Sequence, residues 1–260
     1  MKKKMIFFDI DGTLLNDEKK FLPSTKKALE QLKERGHEVV IATGRNLFLA
    51  QSIIDELEFD NYIICNGAAG YFRNKLVFEN KLDQNELNRL VEISDKHNHD
   101  VIYESADKLK RRSKDNNIRM INAMKSVGSS PPPHDRDYHL TNPIYQSLIF
   151  YTDEEKNAYE NGQFPKFKFI RWHANGVDIV PHDGSKAHTV LDFAKQQGFA
   201  IEDTIAFGDG LNDLEMLTEV GVGVAMGNAL EVVKLKADKI TKNCNEDGIY
   251  LALQELGLIE

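Results

Sequence analysis

The chain has little of several things. Its 260 residues include two cysteines, Cys65 and Cys244, far apart and in no metal-binding spacing. That leaves no disulfide framework or zinc module and reads as reduced, buried thiols in a cytoplasmic protein. Positive charge is in the minority, 33 Lys and Arg against 41 Asp and Glu, for a net −8. The short basic runs Lys2-Lys3-Lys4 and Lys108 to Lys114 read as solvated surface, and no nucleic-acid partner is expected. No apolar run approaches the roughly 18 residues of a membrane span. The opening apolar run is broken by Asp9 and Asp11 too soon for a signal peptide. There is no internal repeat. What remains, 41% hydrophobic and 28% charged, is ordinary globular composition.

The most informative stretch is Met5-Ile6-Phe7-Phe8-Asp9-Ile10-Asp11-Gly12-Thr13. It reads as a strand buried on both faces that ends in two aspartates and a turn. Alternate residues on a strand share a face, and ligands of open α/β sheets gather at the carboxyl ends of the strands. Asp9 and Asp11 therefore suit a shared cation. An isolated Asp-x-Asp-Gly equally fits an Asx turn.

The rhythm continues as strand, helix and strand. A helix opens at Pro23-Ser24-Thr25 with Ser24 as its expected cap. A strand over His37–Ala42 ends in Thr43-Gly44-Arg45, and a helix runs from Asn46 to Leu57. A strand over Tyr62–Cys65 ends in Asn66-Gly67, and a hairpin turns at Arg73-Asn74. From Leu82 the texture changes to a polar helix (Gln84–His97) and alternating strands at Val101–Glu104, Tyr145–Tyr151 and Phe167–Trp172. A charged segment and the loop around Pro131-Pro132-Pro133 lie between them. This is the pattern of an antiparallel sheet. The first texture returns with a helix capped by Ser185 that carries Lys186 in its first turn. A strand over Thr204–Phe207 follows, then the loop Gly208-Asp209-Gly210-Leu211-Asn212-Asp213. Further elements are a helix over Glu215–Val220, a strand over Val222–Ala225, a helix over Leu230–Lys236, a strand at Lys239-Ile240 and a final helix over Asp247–Leu256.

The expected fold is thus α/β: a Rossmann-like parallel sheet with helices on both faces, built from 1–81 and 184–260, with an inserted α+β cap domain over 82–183. Four polar strand-end loops would converge on one sheet edge. Asp9, Asp11, Asp209 and Asp213 together are unfavourable unless paired with a cation, and an all-oxygen set favours Mg2+ over zinc. Lys186 and the donors at Thr43-Gly44 suit a phosphate, although a helix-opening lysine is elsewhere commonly just surface charge.

These motifs resemble the four ordered motifs of the haloacid dehalogenase-like hydrolase superfamily. The long insertion between the second and third resembles its Cof-type subgroup. The resemblance implies Asp9 as nucleophile and Asp11 as general acid and base. It implies Mg2+ held by Asp9, the backbone carbonyl of Asp11 and Asp209, with Asp213 in support through water. Phosphoryl oxygens would be held by Thr43, Gly44, Lys186, Asn212 and the backbone at Ile10. The implied function is a Mg2+-dependent phosphatase of a small phosphorylated metabolite, with a sugar phosphate among the candidates. The alternatives are a phosphotransferase or mutase on the same scaffold, or a phospho-ligand sensor. The expected partner is a small molecule, with no membrane, and nothing in the sequence sets an oligomeric state. Arg171, His173 and Asp178, and Arg45 in the second motif, are weaker candidates for contact with a leaving group.

Overall fold

The computed structural model describes residues 2–115 and 117–260, in two compact units. The first comprises 1–45, 50–78 and 185–260, and the second 46–49 and 79–184. In chain order the elements are β1 (Met5–Phe8), α1 (Pro23–Glu34), β2 (Glu38–Ala42), α2 (Leu47–Glu56), β3 (Tyr62–Ile64), β4 (Ala69–Phe72) and β5 (Lys75–Glu79). Next come α3 (Gln84–His97), β6 (Val101–Glu104), β7 (Leu109–Arg111), α4 (Ile118–Ser126), α5 (Tyr138–Thr141), β8 (Gln146–Ile149), β9 (Phe167–Arg171) and β10 (Val177–Pro181). The chain closes with α6 (Lys186–Gln196), β11 (Thr204–Gly208), α7 (Leu214–Glu219), β12 (Val222–Ala225), α8 (Glu231–Lys234), β13 (Lys239–Ile240) and α9 (Gly248–Glu255).

The first unit carries a sheet in the order β13-β12-β11-β1-β2-β3-β4-β5. Its strands run parallel from β13 to β3, and β4 turns antiparallel. β1 lies in the middle, with Met5 aligned to Glu38 on one side and to Thr204 on the other. All four of its residues are buried, as a parallel strand covered on both faces requires. Met5, Phe7, Val40, Ala42 and Ala206 pack against Val190 and Phe193 of α6 and Met216 and Leu217 of α7. The alternation of a strand sends Ile6 and Phe8 to the other face, where α1 lies with α9.

The expected cap at Ser24 is corrected: Leu22 holds that position and Pro23 opens α1. Proline is preorganised for the first helical position and lacks an N–H to satisfy there. The Ser24 hydroxyl donates instead to Asp247 at 2.5 Å. Ser185 does cap α6, its oxygen accepting from the His188 N–H at 3.0 Å.

The second unit is a five-stranded antiparallel sheet, β7-β6-β8-β10-β9. Leu87, Leu90 and Val91 of α3 cover one face, and Met120, Ala123 and Met124 of α4 pack on Ile102, Leu148 and Phe150 of the other. Asn46–Leu49 joins this unit through the Leu47 N–H, which donates to Ala106 at 2.9 Å. The Arg112 guanidinium grips Asp95 with two bonds of 2.9 and 2.8 Å. Arg171 is occupied locally, donating to the carbonyls of Tyr151 and Ala174 at 3.0 and 3.1 Å. Both cysteines are buried and neither is in a disulfide. Among the described residues, no helix is long and apolar enough to cross a membrane.

Candidate active site

The carboxyl end of the parallel sheet builds the site. Asp9 follows β1 and is 6% exposed. Asp209 and Asp213 lie in the loop after β11, and Lys186 opens α6. Lys186 is 3% exposed, Asp213 is fully buried, and the lysine ammonium lies 2.9 Å from Asp9 Oδ1 and 2.7 Å from Asp213 Oδ1. The other oxygen of Asp213 accepts the backbone N–H groups of Asp209 and Gly210, both at 3.0 Å. One carboxylate therefore both pairs with the lysine and shapes the loop that bears Asp209. A Cβ on Gly208 would fall 2.6 Å from the Asp213 side chain, so this turn accepts only glycine without movement.

Oxygens of Asp9, Asp209 and Asp213 all lie within 4.8 Å of one another. One lysine does not neutralise three carboxylates. Burial, then Asp213, pushes the Asp209 carboxyl up to about 7. Burial and the neighbouring Asp213 also push Asp9 well above the carboxylate range, against the pull of Lys186. For Lys186 burial works downward, but Asp213 and Asp9 overcome it and hold the amine above its usual range.

Asp11 is placed differently. Its side chain lies outside the three-carboxylate group, clamped by Arg45 (Nε to Oδ2 and Nη2 to Oδ1, both 2.8 Å) and by Lys19 at 2.9 Å. Burial alone would raise its carboxyl, but the two cations outweigh it and hold the group below the usual range.

The remaining candidates sit in loops tied to one another. The buried Thr43 hydroxyl accepts the Arg45 N–H at 3.1 Å, and its carbonyl accepts from Asn66 at 3.0 Å. The Asn66 side chain accepts from Asn212 at 3.1 Å, and its oxygen lies 3.0 Å from where a Cβ on Gly44 would stand. Ile10 is fully buried and its carbonyl accepts from Leu15 at 2.8 Å. Arg45 and Lys19 as partners of Asp11, and the bridging Asn66, are roles that no spacing in the sequence announces.

A family model described as haloacid dehalogenase-like hydrolase matches residues 6–253. The chain belongs to that superfamily, in its Cof-type subgroup. YkrA of Bacillus subtilis (strain 168) is 40% identical over 260 residues, covering all of both chains. The 5-amino-6-(5-phospho-D-ribitylamino)uracil phosphatase YcsE of the same organism is 29% identical, covering 96% of this chain and 94% of its own. The structure of the subclass IIB sugar phosphatase BT4131 superposes with a TM-score of 0.85 at 29% identity, covering 99% of this chain and all of the other. The α/β fold with a separate antiparallel sheet is shared with that neighbour.

Proposed function

We propose that this hydrolase is a Mg2+-dependent phosphatase acting on a small phosphorylated metabolite, in the chemical range of sugar phosphates. The observation that carries the reading is the buried Asp9-Lys186-Asp213 chain with Asp209 beside it. It is an electrostatically incomplete cluster at the sheet edge where ligands of open α/β folds bind. Phosphatases of the superfamily generally use Mg2+, and the donors present fit that ion: all are oxygens, and their crowding leaves protons on the cluster that a divalent cation would displace. Asp9, Asp209 and the backbone carbonyl of Asp11 would hold it, with Asp213 in support through water. When bound, it supplies neutralisation of phosphoryl charge.

The chain's own residues then divide the work. Asp9 attacks phosphorus, forming an aspartyl-phosphate as the bond to the leaving oxygen breaks. Asp11 gives that oxygen a proton and later takes one from the water that hydrolyses the intermediate. Lys186, Thr43, Gly44, Asn212 and the backbone at Ile10 hold the phosphoryl oxygens in line. Residues 82–183 would serve as the cap domain that selects the leaving group. The direct test is phosphate release from a panel of phosphorylated metabolites with Mg2+. Release that stops on chelation and returns on re-addition supports the reading. No release from any monoester, with intact fold, overturns it.

The clamp on Asp11 sets a pH prediction. An acid must be protonated to donate, and Arg45 holds this one ionised. Arg45→Ala should let the Asp11 carboxyl titrate higher, moving the alkaline fall of kcat/KM upward by about one pH unit, the scale of losing one adjacent opposite charge. An unmoved alkaline limb would show that Asp11 is not the group titrating there.

Metal removal gives another. The folded-state value of Asp209, about 7, lies above its unfolded value. Its contribution to stability is therefore present at low pH and lost as pH rises through that window. The metal-free protein should lose stability between about pH 4 and 7 from this group, and Mg2+ should raise Tm more at pH 8 than at pH 5. Equal increments at both pH values would contradict the placement of Asp209 at the ion.

A further inference from the structure

Asn228 has no part in the motifs above, yet its carboxamide touches three loops of the first unit. It lies in the turn after β12. Its Nδ2 donates to the Gly12 carbonyl at 2.8 Å and to Asp209 Oδ2 at 3.2 Å, and its Oδ1 accepts the Cys244 N–H at 2.9 Å. Only one orientation of the amide meets these demands, because the Cys244 N–H needs an oxygen while the carbonyl and the carboxylate both need N–H donors.

We propose that Asn228 is a positioning residue for the hydrolytic site. It locks the loop that carries Asp9 and Asp11 to the carboxylate of Asp209. The inference rests on the phosphatase reading above. Gly12 has φ +70°, and a Cβ there would fall 2.3 Å from Asp209 Oδ2. The β1 loop thus passes directly over the Asp209 carboxylate, and one amide fastens both. The backbone holds position 228 in place independently: Met226 N–H donates to Gly208, Gly227 N–H to Lys242 and Leu230 N–H to Asp209, at 3.0, 3.0 and 3.3 Å. The side chain is therefore free to serve orientation rather than folding. A group that orients a metal-ligating carboxylate typically contributes 10–100-fold to metal affinity or activity.

In Asn228→Ala, Mg2+ affinity measured by calorimetry on the full chain should fall about 10-fold or more, while KM for a generic aryl phosphate at saturating Mg2+ stays within about threefold of wild type, well short of the losses expected on removing a direct substrate contact. Asn228→Asp keeps the shape and the oxygen for Cys244, and replaces only the donor edge. There kcat at saturating Mg2+ should fall at least about 10-fold. Unchanged Mg2+ affinity in a folded Asn228→Ala, or kcat within about twofold in Asn228→Asp, against that 10-fold expectation, overturns the proposal and leaves the phosphatase reading standing. A wild-type protein that neither binds Mg2+ nor releases phosphate overturns both.

Discussion

Asp9→Asn should reduce phosphate release by at least ~10³-fold while leaving the fold intact, because an amide cannot serve as the nucleophile. The substitution is nearly isosteric, and an amide oxygen can still accept from the Lys186 ammonium that now lies 2.9 Å from Asp9 Oδ1. It also removes a buried acid that desolvation pushes well above its usual range, so the denaturant midpoint should hold or rise at neutral pH. Acid quenching during turnover should leave phosphate on the Asp9 peptide of the wild type and none on that of the variant. Near wild-type turnover by the asparagine protein would remove Asp9 from the chemistry altogether.

Lys186→Ala carries the second large effect, and it acts on two quantities at once. The ammonium is the buried counter-charge of both Asp9 and Asp213. Deleting one partner of a buried ion pair costs about 3–5 kcal/mol, because the remaining charges are left uncompensated. The stability deficit should be largest near neutral pH and shrink toward pH 5, since Asp9, which burial already pushes above the carboxylate range, accepts a proton more readily in the folded state than in the unfolded one. Catalysis should fall at least ~10²-fold in kcat/KM, the scale of losing one transition-state charge partner. Urea titrations at two pH values separate the parts. A pH-independent deficit would mean that lost packing, not unpaired charge, is the cause.

Much of this site was legible because its residues end strands. Asp9, Thr43 and Asp209 each follow a buried apolar run, and a parallel sheet brings such ends to one edge whatever their separation in sequence. α3 was readable over Gln84–His97 for a similar reason, its apolar positions recurring at helical spacing. The charged stretch after Glu104 hid β7 and α4. Lys110, Arg111 and Arg112 mask a short strand, although Asn117 ahead of Met120, Ala123 and Met124 is a recognisable cap and apolar stripe. The Ser24 cap failed because proline at the first helical position outweighs a cap one residue later. Partners such as Arg45 and Lys19 on Asp11, or Asn228 on Asp209, join loops through side chains, and no local period encodes such contacts.

The central position of β1 has a consequence for biosynthesis. Its β2 edge is satisfied early, but the other edge needs β11, which leaves the ribosome only after the whole second unit has been made. The nascent chain thus carries a wholly apolar strand with one edge unpaired through most of translation, the condition under which edge-to-edge aggregation competes with folding. The second unit, nearly continuous in sequence, has all its strands synthesised before β11, so Asp209 can reach Asp9 only once the last part of the polypeptide adds its strands beside β1.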